Sequence, residues 1–151
     1  MQNNFFIALA VLIFIYFFIV YIVPAFRRKI YGKNVNFITP VELNKLFSSK
    51  QELLVVDIRS EGEFYNLFGH IDHAINLPYN KFVLRFNEIS DNLTDFKDVT
   101  IVIVGLQEEK NIYNSYNLLK EKGLDKIYIL DKGMSGWLRA QLPTVERNVK
   151  K

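Results

Sequence analysis

The stretch that decides the fold is LLVVDIRSEGEF, residues 53–64. Its first six residues are apolar except for Asp57, and an apolar run of this length is typical of a parallel strand covered on both faces. We therefore predict a buried strand over residues 53–58, followed by a turn into a short helix over residues 61–68. A second run, TIVIV at residues 100–104, has the same character and predicts a second central strand.

Helical patterns alternate with these strands along the chain. Thr39, Pro40 and Glu42 form a helix-start signature, with a capping threonine, a proline in the first turn and a glutamate at the capping-box position. This alternation is typical of a parallel sheet flanked by helices, so we predict one α/β domain over residues 37–145. The other predicted helices cover residues 82–93, 111–122 and 134–140, and the other predicted strands cover residues 71–77 and 126–130.

Residues 5–26 form a separate segment without any charged side chain, and they predict one transmembrane helix. As a helix these 22 residues would span roughly 33 Å, enough for a hydrocarbon core of about 30 Å. A cleavable signal peptide is disfavoured, because residues 1–4 carry no positive side chain and residues 23–27 make a poor cleavage site. A buried core helix is disfavoured because every face of the segment is apolar.

The charges beside this segment predict its orientation. The basic residues of the first 36 all follow the span, and no acidic residue accompanies them. The positive-inside rule then places residues 1–4 on the extracytoplasmic side and the α/β domain in the cytoplasm, with residues 5–26 in the inner (plasma) membrane. We interpret residues 27–36 as a basic juxtamembrane linker whose charges either contact anionic lipid or act only as the topology signal. Those basic residues are Arg27, Arg28, Lys29 and Lys33.

Composition excludes several classes of function. Residues 37–151 contain 15 basic and 16 acidic side chains, including a basic tail at residues 146–151. This balance gives no support for nucleic-acid binding. The chain has no cysteine, which excludes disulfides, thiolate metal sites and thiolate nucleophiles. His70 and His73 are three residues apart without a third ligand, so we expect no metal site and no cofactor.

The motif Asp57-x-Arg59 with a following Glu63, then Gly69-His70, then Asn76-x-Pro78, together with Gly133 and Trp137 near the end, resembles the rhodanese-like domain family. The resemblance covers residues 37–145 and implies a rhodanese fold, in the layout of the small membrane-anchored rhodanese proteins of proteobacteria. We expect structural roles for the matching residues: Asp57 accepts backbone N–H groups, Arg59 pairs with Glu63 four residues later, His70 is hydrogen-bonded, and Trp137 anchors the core. The matching residues are Asp57, Arg59, Glu63, Gly69, His70, Asn76, Pro78, Gly133 and Trp137.

The resemblance fails at the position that carries the family's chemistry. In active members, the strand equivalent to residues 101–104 leads into a catalytic cysteine, and backbone N–H groups of the following loop stabilise the thiolate. Here the aligned position is Gly105 or Leu106, and neither is a nucleophile. Glu108 and Glu109, interpreted as solvated, would repel an anion. We call the segment Gly105, Leu106, Gln107, Glu108, Glu109, Lys110 and Asn111 the degenerate loop, and we expect neither a catalytic residue nor thiosulfate sulfurtransferase activity.

Three hypotheses for function follow from these observations. The first is a catalytically inactive protein-binding or scaffold module at the cytoplasmic membrane face, whose partner is a membrane protein or a membrane-associated complex. The second is an enzyme or small-ligand binder of another type that uses the degenerate loop. The third is a subunit or homo-oligomer that assembles through its own anchor.

Overall fold

The computed structural model describes residues 2–49, 51–89 and 96–145. In these residues five parallel strands form one sheet in the order β1-β5-β4-β2-β3. The predicted α/β class, with a parallel sheet flanked by helices, is confirmed. The strands are β1 (Phe37–Ile38), β2 (Leu53–Asp57), β3 (Ile75–Asn76), β4 (Thr100–Val104) and β5 (Ile127–Leu130).

The central strand β4 explains why the apolar runs are continuous. Ile101 and Ile103 pack into a core on one face of the sheet, together with Tyr113 of the helix that follows β4. Val102 and Val104 pack into a second core on the opposite face. Because both faces are covered, the four residues 101–104 of this strand are all apolar.

Short helices connect the strands and cover the sheet. α4 ends at Phe64, earlier than the predicted end at residue 68, because the Asn66 side chain accepts the N–H groups of Phe68 and Gly69 and forms a turn. Residues 90–93, the end of the helix predicted over residues 82–93, lie outside the described residues. The helices are α3 (Pro40–Leu46), α4 (Glu61–Phe64), α5 (Tyr79–Ile89), α6 (Lys110–Glu121) and α7 (Gly133–Arg139).

A long apolar helix precedes this domain. It consists of α1 (Gln2–Phe17), one π-helical turn (Phe18–Ile22) and α2 (Val23–Tyr31). Its stretch Phe5–Tyr31 is long and apolar enough to cross a membrane, by length and composition. The wider turn precedes Pro24, which has no N–H to donate, and in it Val23 donates to the carbonyl of Phe18.

The helix continues further than the apolar run from which it was predicted. Residues 27–31, interpreted above as part of a linker, are helical, and only residues 32–36 connect α2 to β1. Arginine and lysine are good helix formers, and Arg28 and Lys29 in the last turn complement the negative end of the helix dipole. A connection this short keeps the end of α2 beside the domain.

Candidate functional site

The degenerate loop lies at the carboxyl edge of the sheet: residues 105–109 connect β4 to α6, and Lys110 and Asn111 begin α6. The first turn of α7 holds it in place: the N–H of Met134 donates to the carbonyl of Gly105 at 2.7 Å, and the N–H of Ser135 donates to that of Leu106 at 3.1 Å. Gly133 permits this approach, since it has φ +53 and a Cβ there would stand 2.4 Å from the Gly105 carbonyl oxygen. The loop is therefore fixed by backbone contacts.

Glu108 points into the protein and is only 6% exposed. One carboxylate oxygen lies 3.1 Å from Nη1 of Arg28, and the other accepts a hydrogen bond from the Tyr113 hydroxyl at 3.2 Å. The interpretation of Glu108 as solvated is wrong, because helix α2 supplies a counter-charge that the local sequence does not reveal. Its neighbour Glu109 is exposed.

Arg28 fastens helix α2 to the domain through three contacts. Besides Glu108, its Nη1 contacts the Asp131 carboxylate at 2.6 Å, and its guanidinium lies 4.1 Å from the ring centroid of Phe37. Tyr31 adds an aromatic contact with Tyr113, with 5.7 Å between ring centroids. Arg28 was predicted only as a topology or lipid residue, whereas the structure places it against the degenerate loop.

Sequence reasoning missed Asp131 and Tyr113 as members of this cluster. Asp131 directly follows β5, and residues that follow neighbouring parallel strands share one edge of the sheet. That rule, combined with the short connection after α2, is the signal that would have found Asp131. Tyr113 is buried in the core beneath α6, and its hydroxyl donates a hydrogen bond to Glu108.

Burial dominates the electrostatics of the loop. It raises the pKa of Glu108 above its ordinary value, while the nearby Arg28 acts in the opposite direction. Burial, followed by the Glu108 carboxylate, raises the pKa of Tyr113, so its phenol stays protonated and donates. Although Glu109 is exposed, its partial desolvation and the charge of Glu63 raise its pKa, and Arg27 opposes this change. The two glutamates are thus held beside arginines of α2.

Beside the Arg28 contact, a cleft of about 540 Å³ lies between the long apolar helix and the degenerate loop. Three apolar residues and one arginine form its helix wall, and residues 106–111 form its loop wall. This volume falls within the range of small-molecule sites, which is about 300–1,000 Å³. The helix-wall residues are Ile19, Val23, Pro24 and Arg27.

A buried ion pair braces the turn after β2. Nη2 of Arg59 lies 2.7 Å from the Asp57 carboxylate, which also accepts the backbone N–H of Arg59 at 3.0 Å. The expected pairing of the Arg59 and Glu63 side chains is wrong: Arg59 reaches only the Glu63 backbone carbonyl, at 3.2 Å. The Glu63 carboxylate instead accepts the N–H and hydroxyl of Ser60, as the capping box of α4.

Two further motif residues contact Arg59, and a third, Pro78, leads into α5. The Asn76 amide donates to the carbonyls of Asp57 at 3.2 Å and Arg59 at 3.0 Å. Gly69, at φ +68, presents its carbonyl to Nη2 of Arg59 at 3.3 Å. Pro78 immediately precedes α5, and its carbonyl accepts the N–H of Phe82 at 2.8 Å. These contacts are structural, and they fix the edge at which the degenerate loop lies.

Comparison with known proteins identifies the family of this site. A model of the rhodanese-like domain matches residues 39–140. The chain belongs to this family. It is 36% identical over 111 residues to an uncharacterized protein of Buchnera aphidicola subsp. Baizongia pistaciae, covering 72% of this chain and 71% of that one. It is 30% identical over 114 residues to the uncharacterized protein YibN of Escherichia coli K12, covering 74% and 73% respectively.

A solved structure supports the same fold. The rhodanese-like chain superposes on a thiosulfate sulfurtransferase from Pseudomonas aeruginosa with a TM-score of 0.66 and 18% identity. The match covers 83% of this chain and 23% of that one. At this identity the likeness establishes the fold alone, and the chemistry of this chain depends on its own loop, which holds no cysteine.

The remaining motif residues of the rhodanese-like domain serve packing. The His70 ring stacks on Phe64 with 3.7 Å between centroids, and its Nδ1 lies 3.1 Å from the Phe64 carbonyl. Trp137 is buried and donates from Nε1 to the Pro143 carbonyl at 2.9 Å. Within the described ranges, no group of three or more histidine, aspartate or glutamate side chains is placed to hold a metal.

Proposed function

We propose that this chain is a membrane-tethered rhodanese-like domain without sulfurtransferase activity, and that it binds a protein partner at the cytoplasmic face of the inner membrane. One observation carries the proposal: helix α2 lies on the degenerate loop, with Arg28 paired to Glu108. The loop that would hold a reactive thiolate in an active member instead supports the end of the tether.

The chemistry of persulfide transfer argues against an active sulfurtransferase. The reaction requires a thiolate that attacks sulfur, and the chain offers none. At Gly105, the first residue after β4, a Cβ would lie 2.4 Å from Cδ1 of Ile112, so a side chain there would displace a core residue. The Glu108 carboxylate adds negative charge where an anionic sulfur donor would have to approach.

The tether follows from the apolar helix and its charges. A helix with the length of Phe5–Tyr31 and with basic residues only at its C-terminal end favours insertion with the domain in the cytoplasm. The five residues 32–36 and the Arg28 contact would then keep the domain beside the bilayer. A partner within reach is therefore itself a membrane protein or bound to the membrane.

An exposed apolar segment of the domain provides a surface for such a partner. Leu67 is 81% exposed and Phe68 is 61% exposed, in the turn that follows α4. Adjacent exposed apolar side chains of this size mark interaction sites more often than isolated ones do. Leu84 of α5 is 65% exposed, but its neighbours in sequence are the half-buried Val83 and the charged Arg85, which makes it the matched control.

Crosslinking in cells tests the binding role. The full chain is crosslinked, purified from detergent-solubilised membranes and analysed by mass spectrometry. We expect a specific membrane-associated protein that is lost from the Leu67→Ser/Phe68→Ser variant and kept by Leu84→Ser. Recovery of no specific protein, or equal recovery by all three chains, contradicts the proposal.

Two further measurements test the remaining parts of the proposal. The full chain should show no cyanide-dependent turnover of thiosulfate above a heat-denatured control. Measurable turnover would overturn the inactive assignment. After alkaline carbonate washing the chain should stay in the membrane pellet at full length, whereas a shortened, soluble product would identify residues 5–26 as a cleaved signal.

A further inference from the structure

Two clefts meet beside the end of the apolar helix. The first, between α2 and the degenerate loop, was described above. The second has a volume of about 710 Å³ and extends along the helix. Val23, Arg27 and Lys110 line both clefts, so two cationic side chains stand where they join. The other residues of the second cleft are Phe18, Ile22, Phe26, Ile30 and Tyr31.

This arrangement matches an amphiphile rather than a water-soluble metabolite. The wall of the second cleft is a face of the helix that is long and apolar enough to cross a membrane. Its cations lie just beyond Phe26, the end of the uncharged run of residues 5–26, which is the level of lipid headgroups in a membrane-spanning chain. A ligand that fills both clefts needs an apolar chain along the helix and an anionic group at its end.

We propose that Arg27 and Lys110 bind the phosphate of a membrane phospholipid whose acyl chains lie along the Phe18–Phe26 face of the helix. The site rests on the proposed tether, because it forms only if that helix face is in the bilayer. It uses Lys110, which belongs to the degenerate loop, and so gives that loop a ligand different from the sulfur compounds of active family members.

The other charges around the cleft define the headgroup chemistry. Arg28 is engaged by Glu108 and Asp131, so it is not the residue that faces the ligand. Glu109 lines the first cleft together with Lys110, and it disfavours a second negative charge on the ligand. The site therefore fits a phosphodiester, which carries one negative charge, better than a phosphate monoester, which carries about two near neutral pH.

Native mass spectrometry of the full chain in detergent micelles tests the proposal, with dioleoyl phosphatidylglycerol as the probe. We expect one retained lipid, and a loss of affinity on the order of tenfold in Arg27→Gln and in Lys110→Gln, as for removal of one charge-assisted contact. Lys29→Gln and Lys122→Gln remove the same charge from outside both clefts, and we expect each to change affinity by less than about twofold.

The possible outcomes separate this site from alternatives. Equal loss in all four variants would indicate diffuse electrostatic attraction and overturn the site, as would wild-type affinity in both Arg27→Gln and Lys110→Gln. Displacement of the lipid by millimolar glycerol 3-phosphate would indicate a soluble ligand and overturn the lipid assignment. If Arg27→Gln fails to fold, as judged by circular dichroism, the exposed Lys110→Gln decides the matter. Carbonate washing tests the tether independently, so membrane retention with unaltered lipid binding contradicts only the lipid site.

Discussion

Replacing Arg28 by glutamine should loosen the domain from its own helix. In the native chain the guanidinium contacts Glu108 at 3.1 Å and Asp131 at 2.6 Å, and it stacks over Phe37 at 4.1 Å. The substitution leaves the Glu108 carboxylate, which is 6% exposed, beside the Tyr113 hydroxyl and the Asp131 carboxyl but without its arginine counter-charge. A buried charge without its counter-charge is unstable.

The exposure of Arg28 sets the size of the effect. Removal of one partner from a fully buried ion pair costs about 3–5 kcal/mol. Because the Arg28 side chain is 44% exposed, solvent screening reduces this penalty to about 2 kcal/mol, which includes a cation–π contribution of about 0.5 kcal/mol. For a domain of this size, such a loss lowers the melting temperature by about 6–10 °C.

A double-mutant cycle measures the coupling between Arg28 and Glu108. Thermal unfolding of the full chain in detergent is compared for wild type, Arg28→Gln, Glu108→Gln and the double variant. Glu108→Gln alone should lower stability less than Arg28→Gln does, because it leaves no buried charge. The double variant should be about 1 kcal/mol more stable than the sum of the two single losses predicts. Lys29→Gln is the charge control. If Arg28→Gln melts like Lys29→Gln, helix α2 does not stabilise the domain.

The burial of Glu108 predicts that the stability penalty of Arg28→Gln depends on pH. Burial raises the folded-state pKa of Glu108, and Tyr113, Arg28 and Asp131 face it. A carboxyl group whose pKa is raised by folding makes the protein less stable as the pH rises from the group's ordinary pKa, 4.5, through its folded-state pKa. Removing Arg28 raises that pKa further, so the penalty of Arg28→Gln should be full at neutral pH and shrink as pH falls toward 4.5. A penalty that is constant with pH would contradict the role of Glu108.

Two more predictions concern the scaffold around the loop. Gly133→Ala should destabilise the chain by at least about 2 kcal/mol, because its Cβ would meet the Gly105 carbonyl at 2.4 Å, whereas Gly62→Ala, where nothing lies within 4 Å, should be neutral or stabilising in the same melting assay. Asp57→Asn should lower the free energy of unfolding, measured in urea, by about 3 kcal/mol or more, because it leaves the buried Arg59 guanidinium without a carboxylate. A loss below about 1 kcal/mol would refute the stabilising role of this ion pair.

The central part of the fold was predictable because its signal is local and strong. β4 and β2 are covered on both faces, so their sequences are apolar without alternation, and their bounds agree with the prediction within one residue. The elements near the edge were predicted less well. α4 stops at Phe64 because Asn66 forms a side-chain turn, and β3 has two residues because residues 71–74 form a turn before it.

The site was predictable in position but not in orientation. The location of the degenerate loop follows from the strand that precedes it, and the absence of a nucleophile is visible in the sequence. The inward turn of Glu108 was not visible, because its partner Arg28 lies 80 residues earlier in the chain. A pair of adjacent glutamates on a polar loop usually faces solvent. Here Glu108 is buried because α2, which packs against α6, brings Arg28 to it.

The apolar helix and the degenerate loop are connected by this packing. An active member needs an approach path to its cysteine, so a helix laid across the loop would obstruct the reaction. Where no cysteine stands at Gly105 or Leu106, the same edge of the sheet is available to receive the end of α2. The acidic Glu108 and Asp131, unsuited to anion binding, then become the two groups that attract Arg28. The charges that argue against catalysis are thus the ones that hold the domain to its helix.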